Sequence, residues 1–422
     1  MTVFTPRLCG GLFLGFFLAF SPVLPAQSIL DYQREEYPAM SLNGVPYGNA
    51  RTLTYYGNPL LAQTPLNALV NPAAVPDHNR VSFSGIHIRH AAFQYWGIND
   101  GVLVQSNPLT AQRIAFTSAV LSFCFSRTVL TAGYAENALR AFPSFEYKKV
   151  QRYMNLDYRY LYQGDFSGAE KIFFLSIKRS LRPGLDAGLT LSLSRTLRQL
   201  LLIESWDIGF AANSNWINKF LLNQRESHQL DHIALLTGIR YSPTDQVSAA
   251  LALSLPFRGN AQRRIERGVA VPSDRRFSEH HADDPLQSPI SIKASIMTIL
   301  PLRIRNLQFR TGADLFYTIW SSHSFTFFGE DYKEPLKNTL RVALSLSASL
   351  LTSFGFLDMG LSVAADPQPL IQPESRVRVW STGLSWRQKW LEIDVSLARL
   401  AAPVEGKKIA HNLLSLGCSI LF

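Results

Sequence analysis

Residues Thr339 to Leu351 alternate with a period of two. Leu340, Val342, Leu344, Leu346, Ala348 and Leu350 share one side, and Arg341, Ala343, Ser345, Ser347 and Ser349 share the other. Successive side chains of a strand point to opposite faces, so this segment has one apolar face and one small, polar or charged face. The pattern recurs in 185–193, 247–255, 307–319, 357–363 and 391–398. These runs reach about 10 residues, the length a tilted strand needs to cross a bilayer. Their polar faces carry ionisable groups in mid-strand, which a lumen accepts and a lipid face does not. A soluble sandwich also alternates, but it buries its inner face. The expected fold is all-β: a transmembrane antiparallel barrel of about 14 strands, with 16 as the alternative.

Apolar residues make up 47% of the chain and mean hydropathy is +0.03. After the N-terminal leader there is no run of about 18 uncharged apolar residues, so no transmembrane helix is expected. Residues 1–26 read as a signal peptide: Arg7, an apolar core from Leu8 to Phe20, and Leu24-Pro25-Ala26 as the cleavage region. The last strand-like segment places Leu414, Leu416, Cys418, Ile420 and Phe422 on one face, against Ser415, Gly417 and Ser419. In a closed barrel such a strand seals against the first. Its aromatic last residue resembles the terminal signature of bacterial outer-membrane barrels. That resemblance implies recognition by the barrel-assembly machinery and an outer-membrane location in a Gram-negative-type bacterium, surrounded by outer-membrane lipids.

The net charge of +10 is scattered over strand ends and loops. That is not the clustered footprint of nucleic-acid binding, and no nucleic acid is expected as a partner. The densest cluster, Arg258 to Arg276 with interleaved acids, reads as a mixed-charge surface loop. Tight connections (Leu181 to Leu185, Ser242 to Gln246, Leu300 to Leu302, Thr352 to Gly355, Arg387 to Trp390) alternate with long ones (Arg258 to Ser288, Ser321 to Lys337, Asp366 to Arg376, Ala401 to Ala410). Short turns on one side and long loops on the other are the outer-membrane pattern. Cys124 and Cys418 read as small membrane-facing residues.

Residues 27–79 do not alternate. Asn43-Gly44, Gly57-Asn58-Pro59, Asn71-Pro72 and Pro76-Asp77 mark turns, separated by short apolar pieces. About 50 residues of this kind exceed a simple leader, and the barrel lumen is available to hold them. Ala50-Arg51, Gly57, Ala62, Ala68 and Asn71-Pro72-Ala73 resemble, over about 25 residues, the N-terminal stretch of FadL-type outer-membrane transporters. Ala74 stands where that family commonly has glycine. The resemblance implies a plug, or hatch, over 27–79, ahead of a barrel over 80–422. It also implies passive uptake of hydrophobic small molecules, long-chain fatty acids and aromatic hydrocarbons being the family's cargo. PorV-type relatives offer an alternative role, anchoring or shuttling proteins for a secretion system.

No Walker loop, His-Glu-x-x-His, Gly-x-Ser-x-Gly or Cys-x-x-Cys occurs, so neither an enzyme nor a cofactor is expected, and no metal. Lys178, Asp186, Arg240, Lys293, Arg310, Asp314, Arg341, Asp358, Glu392 and Asp394 fall on the predicted lumen face. They read as a polar conduit or, more simply, as ionic links between plug and wall. Phe220, Leu222, Phe325, Phe327 and Phe328 are apolar residues in expected loops, a candidate surface for capturing a hydrophobic substrate.

Overall fold

The structure is a computed structural model. It describes residues 49–97, 105–137, 145–153, 156–210, 216–256, 258–271, 274–287, 290–302, 306–319, 326–327, 330–331, 338–367, 376–404 and 407–422. The signal-peptide assignment to 1–26 and the first part of the proposed plug lie outside these residues.

The strands are β1 (Arg80–Gly97), β2 (Gln105–Phe125), β3 (Thr128–Asn137), β4 (Phe145–Tyr153), β5 (Leu156–Arg182), β6 (Leu185–Phe210), β7 (Trp216–Tyr241), β8 (Val247–Pro256), β9 (Arg258–Val271), β10 (Asp274–Gln287), β11 (Ile290–Ile299), β12 (Leu307–Ile319), β13 (Thr326–Phe327), β14 (Glu330–Asp331), β15 (Thr339–Thr352), β16 (Gly355–Pro367), β17 (Arg376–Arg387), β18 (Leu391–Val404) and β19 (Lys407–Leu421). β3 and β4 both pair with β5, and β8 and β9 both pair with β7. β9 pairs with β10, and β8 pairs with β11. Each of these successive pairs therefore occupies one position in the wall. The result is a closed antiparallel barrel of 14 strands. β19 closes it against β1, from Arg80 opposite Leu421 to His90 opposite His411.

Alternation sorts the two faces. On β15, Thr339, Arg341, Ala343, Ser345, Ser347 and Ser349 are buried, whereas Leu340, Val342, Leu344 and Leu346 are exposed. Phe173, Leu175 and Ile177 on β5 and Leu189, Leu191 and Leu193 on β6 are likewise exposed, as are Ile292, Ile296, Ile393, Leu416 and Ile420. An outward apolar surface this extensive is the mark of strands that face lipid. On β5 the belt is followed by Lys171, and on β6 it is interrupted by Arg195, with Leu197 exposed one outward position beyond. Arg195 pairs with Asp231 on β7 at 2.7 Å.

The end at which β1 begins and β19 finishes, the lower mouth, is closed by short turns. In the turn after β5, Pro183-Gly184 supplies the sharp reversal, with Gly184 at φ +75° in the left-handed region that glycine tolerates. At the upper end β5, β6 and β7 continue well past the belt. From Lys171 up to Leu156 is roughly 15 residues, about 50 Å of strand at 3.3 Å per residue. The expected loop over Arg258 to Ser288 is mostly paired strand: β9 and β10 zip together from Arg258 opposite Gln287 to Val271 opposite Asp274, extending this wall upward. Its charged sequence looks like a loop because a strand above the membrane needs no apolar face. Ala401 to Ala410 is also largely hairpin, with β18 running to Val404 and β19 starting at Lys407. Most of Ser321 to Lys337 lies outside the described residues, apart from the small β13–β14 hairpin.

Candidate functional site

Residues 49–79 run through the lumen as short helical turns. The local sequence explains why they form. Asn49 caps helix α1 (Ala50–Thr54), its side chain accepting the Arg51 N–H at 2.9 Å. Asn58 accepts from Leu60 and Leu61 N–H at 3.1 Å and opens α2 (Pro59–Ala62), with Pro59 in the first turn. Asn71 repeats the device at the 3-10 turn Pro72–Ala74, accepting from Ala73 N–H. An asparagine cap followed by proline is thus both a turn signal and a helix start. Asn67 ties the pieces together, its amide donating to the carbonyls of Pro59 (2.7 Å) and Ala74 (2.9 Å).

Two sets of predicted residues meet at Arg51. Its guanidinium contacts Asp358 on β16 at 2.6 Å and Glu392 on β18 at 2.7 Å. Arg80, the first residue of β1, reaches the same Glu392 oxygen at 3.1 Å. Tyr55 donates to Asp358 at 3.2 Å, and Ser347 and Ser349 donate to its other oxygen. Asp394 is buried one inward position above Glu392. All these charged groups are almost fully buried, so each carboxylate and guanidinium depends on its partners in place of water.

Higher in the lumen, the Arg341 guanidinium lies 5.1 Å from the Tyr56 ring centroid and 4.6 Å from that of Phe316. Tyr56 donates to Asp366 at 3.1 Å. Lys293 donates to the Gly57 carbonyl and stands 3.8 Å from Asp314, which also accepts from Ser295. On the opposite wall, Lys178 donates to the Val75 carbonyl at 2.9 Å and to Asp77 at 2.7 Å, with Asp186 at 3.5 Å. Thr190 donates to the Ala68 carbonyl at 2.6 Å.

Glycines on the lumen face mark where the backbone of 49–79 comes closest. A Cβ on Gly238 would overlap Asn71 and Pro72, and one on Gly383 would overlap Thr54. Gly188, Gly312 and Gly360 are occupied in the same way, by Pro72-Ala73, Asn58-Leu61 and Thr54-Tyr55. Just below, burial and the neighbouring Arg80 charge lower the His78 pKa to about 4, so this imidazole is neutral at neutral pH.

Of the predicted lumen residues, Lys178, Lys293, Arg341, Asp358 and Glu392 contact 49–79 directly. Arg240 lies opposite Asp186 across the β6–β7 pairing, and Arg310 bonds to Gln308 on its own strand. Of the predicted capture residues, Phe220 and Leu222 are not in a loop: they sit in β7, paired with Trp206 and Glu204. Phe327 is in the small hairpin opposite Glu330, and Phe325 and Phe328 lie outside the described residues. Leu414, Leu416 and Ile420 lie in the closing strand. Beside it Phe422 packs against Phe123, ring centroids 6.2 Å apart. Sequence reasoning missed Arg80, Thr190 and Tyr56. Arg80 was visible as a lone arginine sharing the face of Ser82 and Ser84.

No family model matches the chain, and no curated protein matches its sequence. Solved structures do match in fold. A Pseudomonas aeruginosa FadL homologue superposes with a TM-score of 0.59 at 14% identity, covering 89% of this chain and 99% of that one. The Ralstonia pickettii toluene transporter TbuX gives 0.57 at 12% identity, covering 91% and 100%. The monoaromatic hydrocarbon channel CymD gives 0.56 at 13% identity, covering 90% and 98%. This chain therefore has the fold of the FadL-type channels along nearly their whole length.

Proposed function

We propose that this protein is an outer-membrane channel for passive uptake of hydrophobic small molecules, with residues 27–79 as a resident plug. The observation that carries the reading is the filling of the lumen by 49–79, fastened by buried charge pairs to β16 and β18 and by lysine–carbonyl bonds from β5 and β11. A lumen so filled suits a hydrophobic channel better than an open aqueous pore. The outward apolar belt fits insertion in lipid, and the exposed closing strand fits handling by the barrel-assembly machinery. Fold neighbours described as a toluene transporter and a monoaromatic hydrocarbon channel support a hydrophobic cargo and a non-enzymatic role. None of these neighbours is described as a secretion shuttle, and no observation favours that reading.

The apolar residues Phe325, Phe327 and Phe328 remain the candidate capture surface. The test is uptake of an arene, an alkane and a long-chain carboxylate by cells expressing the protein against cells lacking it. Uptake of at least one hydrophobe, without large ion conductance in planar bilayers, is the expected result. A steady aqueous conductance of porin size with no hydrophobe uptake would overturn it.

A further inference from the structure

Cations bracket the apolar belt on β5. Phe173, Leu175 and Ile177 face outward, with Lys171 above them and Arg179 below, all exposed. From Lys171 to Arg179 is about 26 Å of strand, enough for a tilted strand to carry one charge to each border of the lipid. The lower border is the periplasmic one, where the short turns lie.

At that border the free charge gathers in one sector. Arg127 in the β2–β3 turn, Arg179 on β5 and Arg182 before the β5–β6 turn are all exposed. The backbone brings them together. The Ser180 N–H donates to the Arg127 carbonyl at 2.8 Å, and Arg179 lies opposite Thr128, the next residue after Arg127. A bulge between Ser180 and Arg182 interrupts the alternation that would put Arg182 on the lumen face with Ser180. None of the three arginines is in an ion pair among the described residues. The acids of this sector are engaged in the lumen instead. Asp186 accepts from Ser180 at 2.6 Å and stands 3.5 Å from Lys178, and Asp77 accepts from Lys178 at 2.7 Å.

Other lower turns lack this grouping. Thr352 to Gly355 carries no charge, and Ser242 to Gln246 carries only Asp245. Arg387 and Lys389 line the mouth of the lumen, with the Arg387 guanidinium 5.1 Å from the Phe356 ring centroid. Directly above the arginines the outward wall is apolar. Leu130, Ile177 and Leu189 make one exposed row across β3, β5 and β6, and Leu181 is exposed beside Arg182.

We propose that this sector is a binding site for an anionic diacyl phospholipid of the periplasmic leaflet, of the phosphatidylglycerol type. The three arginines hold the headgroup phosphate, and the acyl chains lie along Leu130, Ile177 and Leu189. A guanidinium offers a phosphate two parallel N–H donors. Clustered cations at a membrane surface favour anionic over zwitterionic headgroups. The inference goes beyond the channel reading and needs only that the belt faces lipid: this lipid is a resident of the outer wall, not cargo of the lumen.

The experiment equilibrates the full chain in nonionic detergent with equal amounts of dioleoyl phosphatidylglycerol and dioleoyl phosphatidylethanolamine. Lipid that co-elutes with the protein on gel filtration is quantified by mass spectrometry. Phosphatidylglycerol is expected to be retained at least fivefold over phosphatidylethanolamine. Arg127→Gln combined with Arg179→Gln and Arg182→Gln should bring the ratio near one, whereas Arg387→Gln with Lys389→Gln should leave it unchanged. Heat-modifiable migration checks that each barrel is intact. Salt at about 0.5 M gives a second route on the unmodified protein, since screening weakens exposed charge pairs, and it too should bring the ratio near one. Equal retention of the two lipids by the unmodified protein overturns the site, as does a preference that survives the triple variant. Free glycerol 3-phosphate that displaces phosphatidylglycerol at equal concentration also overturns it, because the acyl row would then contribute nothing. The channel reading stands or falls on hydrophobe uptake, which none of these measurements reads.

Discussion

The segment in the lumen is held differently on its two sides. Against β15 to β18 and the start of β1 it is seated at Gly360 and Gly383 but fixed above all by charge: Arg51 bridges Asp358 and Glu392, and Arg80 shares Glu392. Against β6 and β7 it is fixed mainly by shape. Asn71, Pro72 and Ala73 fill the space that Gly188 and Gly238 leave open, and Thr190 anchors the Ala68 carbonyl. Both sides restrain the same 30 or so residues, but their energies fail differently. A buried ion network is unforgiving when one member is lost, because the remaining charges stay buried without a counter-charge. A close-packed seat resists added volume and tolerates little else.

The largest effect therefore belongs to the charged side. Glu392→Gln leaves Arg51 and Arg80 sharing a neutral amide and is expected to destabilise the protein by about 3–5 kcal/mol, the usual result of breaking a buried pair. Urea unfolding in liposomes measures it, and bilayer recordings should show new, flickering conductance as the segment loosens. A loss below about 1 kcal/mol, the range of an exposed pair, would mean that charge does not hold this side. The double variant Arg51→Met with Asp358→Met sharpens the point: it leaves Arg80 and Glu392 paired and should cost less than Arg51→Met alone, because an apolar pair of similar volume can replace a buried ion pair.

The shaped side comes next. Gly238→Val places two methyl groups where Asn71 and Pro72 now sit. Overpacking of this kind costs about 1–3 kcal/mol. The expected signature is lower stability in the same urea assay, together with faster protease cutting near Pro72 from the lumen side. If Gly238→Val cost more than Glu392→Gln, shape and not charge would dominate the docking.

Much of this was legible in the chain. Alternation placed Lys178, Lys293, Asp314, Arg341, Asp358 and Glu392 on the lumen face, because a strand has only two sides and charge on the lipid side is costly. Gly188, Gly312 and Gly360 were visible on that face too. Their purpose was not, since a close approach between residues 120 or 300 positions apart leaves no local periodicity. Arg51 was picked out by its motif and Glu392 by its parity, but only the folded chain joins them. The β9–β10 hairpin was missed for the opposite reason. Above the membrane the lipid-facing constraint lapses, and a strand such as Arg258–Val271 can carry charge on either side without the alternation that reveals a strand.

The smallest predicted effect isolates the hydrogen bond on the shaped side. Thr190 donates to the Ala68 carbonyl at 2.6 Å, its oxygen lies 2.8 Å from the Ser176 hydroxyl, and all three residues are buried. Thr190→Val keeps the side-chain volume and the β-branched shape, so neither packing nor strand preference changes much. What is lost is one donor to a carbonyl that has no water to turn to, a cost of about 1 kcal/mol. Stability should fall by about that much in urea while lumen conductance stays at its resting level, since Gly188 and Gly238 still seat Asn71 to Ala73. New conductance from so mild a change would mean that the glycine seat contributes little and that this single bond holds the shaped side. The two walls would then differ in degree and not in kind.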